Sequence, residues 1–263
     1  MPLGPGPEWS VQKNTIPSLK TLEPSEYFAV DIELEFTREA CRIVSQELPH
    51  IPVQSVAVDF HAQHLPNPKS ATSLIWYPGS TLGNLPSKSD KTFSDNQFIT
   101  NHLERLRSFQ AGSSSNSGKS DAQRYLVLLM DSYKHDKASM VNLYASPEAE
   151  GCFLSILHKL KRDLKASSFN PDAFTYCPCW NEKSSVVEHQ FTALENQEFS
   201  IFDCFTEREA TIQVSKGDRY SLANSIKPSC EDMRDALSRS GWEPLKSSWD
   251  TERQFHIHLA RSH

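Results

Sequence analysis

The stretch YFAVDIELEFTREACRIVSQELPHIPVQSVAVDF, residues 27–60, decides the fold. It opens on an apolar run, Tyr27 to Val30, bounded by Pro24 before it and Asp31 after it, which reads as a buried strand. TREACRIVSQELPHI (37–51) then carries apolar residues at helical spacing and stops before Pro52. VQSVAVDF (53–60) is a second short apolar strand, and it runs into Asp59. The same alternation continues downstream. SATSLIWYPGSTLGN (70–84) holds a strand, Leu74 to Tyr77, entering a Gly-Ser-Thr turn. NQFITNHLERLRSFQ (96–110) is an amphipathic helix, and AGSSSNSGKSDAQ (111–123) is a flexible surface insertion. YLVLLMDSY (125–133) is the most apolar strand, and EGCFLSILHKLKRDL (150–164) is a helix with its basic residues late. Apolar strands alternating with helices predict an α/β fold built on a parallel sheet with helices on both faces.

From about residue 171 the pattern changes. FTYCPCWN, SVVEHQFTAL, EFSIFDCF and ATIQVSK alternate apolar and polar and read as antiparallel strands. SCEDMRDALSRSGWEPL reads as a helix with Ser229 as N-cap and Gly241 as its stop, and RQFHIHLARS as a last strand. The expected organisation is a Rossmann-like core over 1–145, a β-rich substrate-binding lobe over 146–225, and a helix and strand over 226–263 that return to the lobe or the core.

Composition narrows the partners. The net charge is −6 over 263 residues, so no basic surface is expected to draw in nucleic acid. No apolar run is long enough to span a bilayer, and no secretory leader is visible. The six cysteines (Cys41, Cys152, Cys177, Cys179, Cys204, Cys230) read as reduced thiols of a cytoplasmic protein. A monomer or homodimer is expected. No metal is expected. His256 and His258 lie two apart on one face of a strand, without an evident thiol or carboxylate neighbour in sequence, and His61 and His64 read as loop residues.

In parallel α/β sheets ligands sit at the carboxyl ends of the strands. Those ends carry Gly4, Gly6, Asp31, Asp59, the turn Gly79 to Asn84, and Asp131. Glycines let backbone approach a ligand closely. An acidic residue ending the next strand can accept hydrogen bonds from both ribose hydroxyls. Asp59 and Phe60 could meet an adenine's amino group and face. Together these fit an adenosine-type cofactor. The full G-x-G-x-x-G fingerprint of a nicotinamide dinucleotide site would need glycine at position 9, which is Trp9.

With YPGSTLGN (77–84) the chain resembles the histidine-specific S-adenosylmethionine-dependent methyltransferases, which include ergothioneine-pathway histidine Nα-methyltransferases and fungal dimethylallyltryptophan N-methyltransferases. LGPGPEWS is similar to that family's glycine turn, YFAVDIE to its ribose strand, VAVDFHAQHL to its adenine strand, and VSKGDRYSL to its late substrate segment. The resemblance implies S-adenosylmethionine as cofactor, with Gly4, Gly6, Asp31, Asp59, Phe60 and Gly79 lining it. It implies a small amine or amino acid as substrate, held by Asn84, Tyr144, His189, Gln213 and Ser215, with Tyr144 also in the catalytic role. Gln213 stands where the family carries an acid that pairs with an imidazole, so an indole or another amino-acid-derived amine is expected at least as readily as histidine. The implied activity is N-methylation in secondary metabolism, as in alkaloid biosynthesis. Relatives carry a further N-terminal segment and a complete first strand, so this chain reads as N-terminally short. With that strand reduced to Met1–Leu3, two neighbouring strands are expected to be left with unpaired edges. The alternative expectation is a truncated, inactive methyltransferase-like partner or scaffold.

Overall fold

Three residues, Met1 to Leu3, join two sheet segments into one. In the computed structural model, which describes residues 1–66, 68, 72–85, 97–107, 123–132, 137–203, 208–251 and 255–262, β1 (Tyr27–Asp31) pairs in parallel with β2 (Val53–Ala57). β3 (Thr72–Tyr77) pairs in parallel with β4 (Gln123–Asp131). Between β1 and β3 the N–H of Leu3 donates to the Trp76 carbonyl at 2.9 Å, and the N–H of Trp76 to that of Met1 at 2.9 Å. On the other side the N–H of Gly4 donates to the Val30 carbonyl at 2.8 Å, and the N–H of Val30 to that of Pro2 at 3.3 Å. The edges of β1 and β3 at Val30 and Trp76, expected to be unpaired, are therefore satisfied by the extended segment Met1–Leu3, and Leu3 is fully buried. β11 (Phe255–Ser262) runs antiparallel to β4, and β10 (Glu243–Trp249) antiparallel to β11. The strand order is β2, β1, Met1–Leu3, β3, β4, β11, β10. It reverses direction at Met1–Leu3, the kind of switch point where ligands of such sheets sit, at the carboxyl ends of the strands.

The chain divides into two compact units. The first comprises Met1–Gly83, Phe93–Ser132 and Pro228–His263. After Gly6 it enters a helical stretch of α1 (Glu8–Ser10), a π-helical Val11–Thr15 and α2 (Ile16–Leu22). With α3 (Leu34–Glu47), this stretch buries Val11, Ile16, Leu19, Ala40, Ile43 and Val44 against Tyr27 and Ala29 of β1. α4 (Gln97–Arg107) buries Ile99, Leu103 and Leu106. Trp242, 2% exposed, donates its indole N–H to the Leu103 carbonyl at 2.9 Å. Just before it, α7 (Cys230–Arg239) starts on a full capping box, Ser229 with Asp232, as the sequence predicts. The C-terminal helix and strand thus belong to the core unit.

The second unit comprises Asn84–Thr92 and Tyr133–Lys227. α5 (Lys137–Tyr144) leads to α6 (Pro147–Asp163). α6 is capped by the Ser146 hydroxyl, with Pro147 in its first turn and Lys161 and Arg162 in its last. β5 (Phe174–Asn181), β6 (Val186–Ala193) and β9 (Arg219–Ile226) form an antiparallel sheet, and β7 (Gln197–Asp203) and β8 (Arg208–Val214) a hairpin. Leu157, Phe169, Phe174, Tyr176, Phe191 and Val214 share its core. The serine-rich segment 111–122 lies outside the described residues. Among the described residues no helix is long and apolar enough to cross a membrane. Cys41, Cys152, Cys177, Cys179 and Cys230 are not disulfide-bonded.

Candidate active site

Gly4 follows the paired segment Met1–Leu3 with φ +69°, a conformation that favours glycine. A Cβ placed on it would lie 3.9 Å from Asp31 Oδ2, so the bare turn and the carboxylate face the same space. Asp31 ends β1. Its Oδ1 accepts the Glu33 N–H at 3.0 Å, and its Oδ2 has no hydrogen-bond partner among the described residues. One oxygen thus fixes the side chain and the other is presented outward, as recognition of a ribose requires. Gly6, at φ +71°, would place a Cβ 3.3 Å from Ser10 Cβ, so it serves the entry into α1.

Beyond β2 an open cleft of about 380 Å³ is lined by Ile32, Ala57, Val58, Asp59, Ala62 and Gln63. Asp59 Oδ1 accepts the His61 N–H at 2.9 Å, and the Asp59 N–H donates to Gln63 Oε1 at 3.0 Å. Ile32 is 64% exposed and gives the cleft an apolar wall. Sequence reading missed it, although an isoleucine standing alone after a strand-ending aspartate was the available signal. Phe60 does not line the cleft. It is 6% exposed and packs edge-on against Tyr77 with centroids 5.8 Å apart. Beside it, burial and then the neighbouring His61 and Arg105 charges push His102 down to about 3. Neither ring nitrogen of His102 has a hydrogen-bond partner among the described residues. A separate cavity of about 260 Å³ opens at the opposite, amino-terminal ends of β1 and β3, with Met1, Tyr27, Thr72 and Leu74 in its wall. It contains none of these groups.

The turn after β3 is pinned from outside. Gly79 and Ser80 both have positive φ, +70° and +58°. Ser80 Oγ donates to Asp131 Oδ1 at 2.5 Å and accepts the Asp131 N–H at 2.6 Å. Two strong contacts offset the cost of a left-handed serine. Gly79 is exposed, and Asn84 is exposed at the end of the 3-10 turn Thr81–Asn84.

In the second unit the structure brings Tyr144 and His189 together and adds Lys227. Lys227 is 2% exposed, and its Nζ donates to the Tyr144 hydroxyl at 2.7 Å. The His189 ring lies edge-on to Tyr144 at 5.0 Å and stacks on Phe153 at 4.0 Å. Its Nδ1 faces the Tyr176 hydroxyl at 2.6 Å and its Nε2 the Ser225 hydroxyl at 2.9 Å. Burial, helped by the Lys227 charge, pushes His189 down to about 4, so the ring is a neutral, braced wall. Gln213 and Ser215 stand elsewhere in the unit. Gln213 donates to Glu198 Oε2 across the β7–β8 hairpin at 2.9 Å, and the Ser215 N–H donates to Asp218 Oδ2 at 2.8 Å. None of their hydrogen bonds reaches Tyr144 or His189.

A family model described as histidine-specific methyltransferase, SAM-dependent, matches residues 11–262. No curated protein matches the chain. Among solved structures, it is similar to an S-adenosylmethionine-dependent methyltransferase from Clostridium acetobutylicum. That match has 13% identity and a TM-score of 0.46, and covers 99% of this chain and 82% of that one. It is also similar to the CcbJ methyltransferase from Streptomyces caelestis, with 11% identity and a TM-score of 0.43, covering 100% of this chain and 87% of that one.

Proposed function

The chain belongs to the histidine-specific, S-adenosylmethionine-dependent methyltransferase family, and we propose that it N-methylates an amino acid or an amino-acid-derived amine. The observation that supports the donor site best is the pairing of Gly4 with Asp31 Oδ2. A cradle that any side chain would obstruct lies against a carboxylate oxygen held ready by its partner oxygen. In this reading Asp31 accepts from the ribose hydroxyls, Asp59 meets the base with Ile32 against its face, and Gly79 lets the backbone approach. When bound, S-adenosylmethionine supplies an electrophilic methyl group on a sulfonium centre.

The substrate reading rests on the second unit. Lys227 and Tyr144 present an ammonium and a hydroxyl side by side. Because the Tyr144 oxygen already accepts from Lys227, its own hydrogen is directed elsewhere, and the two groups together offer donors to a carboxylate. The stacked rings of Phe153 and His189 favour a planar imidazole- or indole-bearing side chain. Asn84 orients the amine, Tyr144 acts by holding the carboxylate end while solvent takes the amine's proton, and Gln213 and Ser215 line the far end of the substrate. The rate advantage comes from positioning a neutral amine and excluding water, which needs no strong base. Such a product belongs to cytoplasmic secondary metabolism, including alkaloid formation.

The test is incubation of the purified chain with S-adenosylmethionine and histidine, tryptophan, histamine or tryptamine, read by mass spectrometry for a gained methyl group. Methylation of an amino acid above its decarboxylated amine is the expected result. A chain that binds S-adenosylhomocysteine but methylates none of the four would refute this substrate class.

A further inference from the structure

We propose that Cys230, His256 and His258 form a zinc-binding site in the core unit. The three ligand atoms lie within 4.8 Å of one another. Both histidines are fully buried on one face of β11, and Cys230 opens α7, half-buried. No thiol stands near the two histidines along the chain. The fold supplies one by laying the start of α7 against β11.

The orientation of the rings carries the argument. His256 Nδ1 faces His258 Nε2 at 2.6 Å, so the two inner nitrogens converge on one point. The outer nitrogens are each engaged. His256 Nε2 lies 3.1 Å from the Pro228 carbonyl, and His258 Nδ1 lies 2.8 Å from Ser247 Oγ. A carbonyl only accepts, so His256 carries its proton on Nε2 and its lone pair on Nδ1, directed inward. Rotation of the Ser247 hydroxyl lets His258 donate from Nδ1 and turn its Nε2 lone pair inward as well. That outer-shell pattern orients metal-binding imidazoles. Ligand atoms around tetrahedral zinc stand about 3.3–3.8 Å apart, given metal–nitrogen and metal–sulfur bonds of about 2.0–2.3 Å. The imidazole pair therefore has to open by less than about 1 Å to admit the ion. Two imidazoles and a thiolate suit zinc by their softness, and the half-exposed cysteine side leaves the fourth position to water. The ion would tie the start of α7 to β11.

Without metal, the same network closes as a proton chain: Ser247 donates to His258, His258 to His256, and His256 to Pro228. Each ring nitrogen thus has a partner without the ion as well, and the proposal is tested on the metal-free chain. The chelator-treated full chain is titrated with Zn²⁺ alone by calorimetry, and with Co²⁺ by absorption. One equivalent should bind, melting should shift upward in proportion to the logarithm of free zinc, and Co²⁺ should give a thiolate charge-transfer band. Cys230→Ser should abolish that band and weaken Zn²⁺ at least about tenfold, and Ser247→Ala should weaken it by about 10-fold or more. Absence of binding overturns the proposal. So does binding that survives both substitutions unchanged, which would be adventitious metal elsewhere on the chain.

Discussion

Replacing Asp31 with asparagine separates cofactor binding from folding. The Asp31 side chain makes one bond within the described protein, Oδ1 to the Glu33 N–H at 3.0 Å. Asparagine keeps that acceptor, so the β1 terminus and the approach to α3 stay in place. What changes is the other oxygen, the one 3.9 Å from where a Gly4 side chain would begin. It becomes an NH₂ group, which cannot accept from a ribose hydroxyl. A hydrogen bond to a charged group contributes about 1.5–3 kcal/mol. Losing that bond and facing a donor with a donor should cost about 2–4 kcal/mol, or about 30- to 1000-fold in Kd. Alanine would be a poorer probe, because it also strips the acceptor from Glu33. The assay is calorimetric titration with S-adenosylhomocysteine, with thermal melting as the control. Melting should move by no more than about 1 °C, the shift expected for a few tenths of a kcal/mol in a chain of this size. A Kd within threefold of the parent, on a variant that melts normally, would show that Asp31 does not hold the ribose.

Other substitutions test separate parts of the structure. His102 is neutral when folded because burial, then His61 and Arg105, push it down to about 3. The unfolded chain takes up that proton near the ordinary value of about 6.5, so His102 should cost about 2 kcal/mol of stability between pH 8 and pH 5. His102→Phe should leave stability at pH 8 equal or higher, since no hydrogen bond is lost, and flatten the acid slope by that amount. An unchanged slope in urea melts would sink the assignment. Lys227→Met should raise KM for carboxylate-bearing substrates about tenfold or more while sparing their decarboxylated amines, and equal effects on both would remove Lys227 from carboxylate recognition. Trp242→Phe removes the buried indole bond to the Leu103 carbonyl together with the packing of the second ring, and should cost about 1–3 kcal/mol, read as a lower urea midpoint at unchanged slope.

What the sequence reveals and what it hides follows from how far each signal travels along the chain. The β1–α3–β2 unit is readable because burial there is local. Ala29 and Val30 are fully buried, and Asp31 marks the point where the strand meets solvent. The Ser229 capping box is readable for the same reason, since its partners lie three residues apart. β9 and β10 are not. Arg219 to Leu222 are exposed, and the face of β10 is only partly covered, so neither strand shows the alternation that betrays a buried face. The stretch from Glu8 to Leu22 escapes because a π-helical turn and Pro17 interrupt its period.

The candidate sites divide along the same line. Gly4, Asp31 and Asp59 are legible because each sits where a strand ends, a position the local pattern already fixes. Their exact partners are not legible: Phe60 reads as a ligand-facing ring, yet it turns inward to Tyr77. Lys227 is invisible in the sequence because its meaning depends on a tyrosine 83 residues away. The Ser80–Asp131 clamp spans 51 residues, and Cys230 meets its histidines only through the docking of α7 on β11. Strand-end chemistry is thus written in the local pattern. Pairings that give a lysine, a serine or a cysteine its task are written in topology, which is fixed by the sum of many weak packing choices and by no single motif. A reading from sequence therefore proposes a cofactor site sooner than a substrate site. The proposed cofactor residues stand at strand ends, at predictable places, whereas the proposed substrate residues Tyr144, His189 and Lys227 are brought together only by the finished fold.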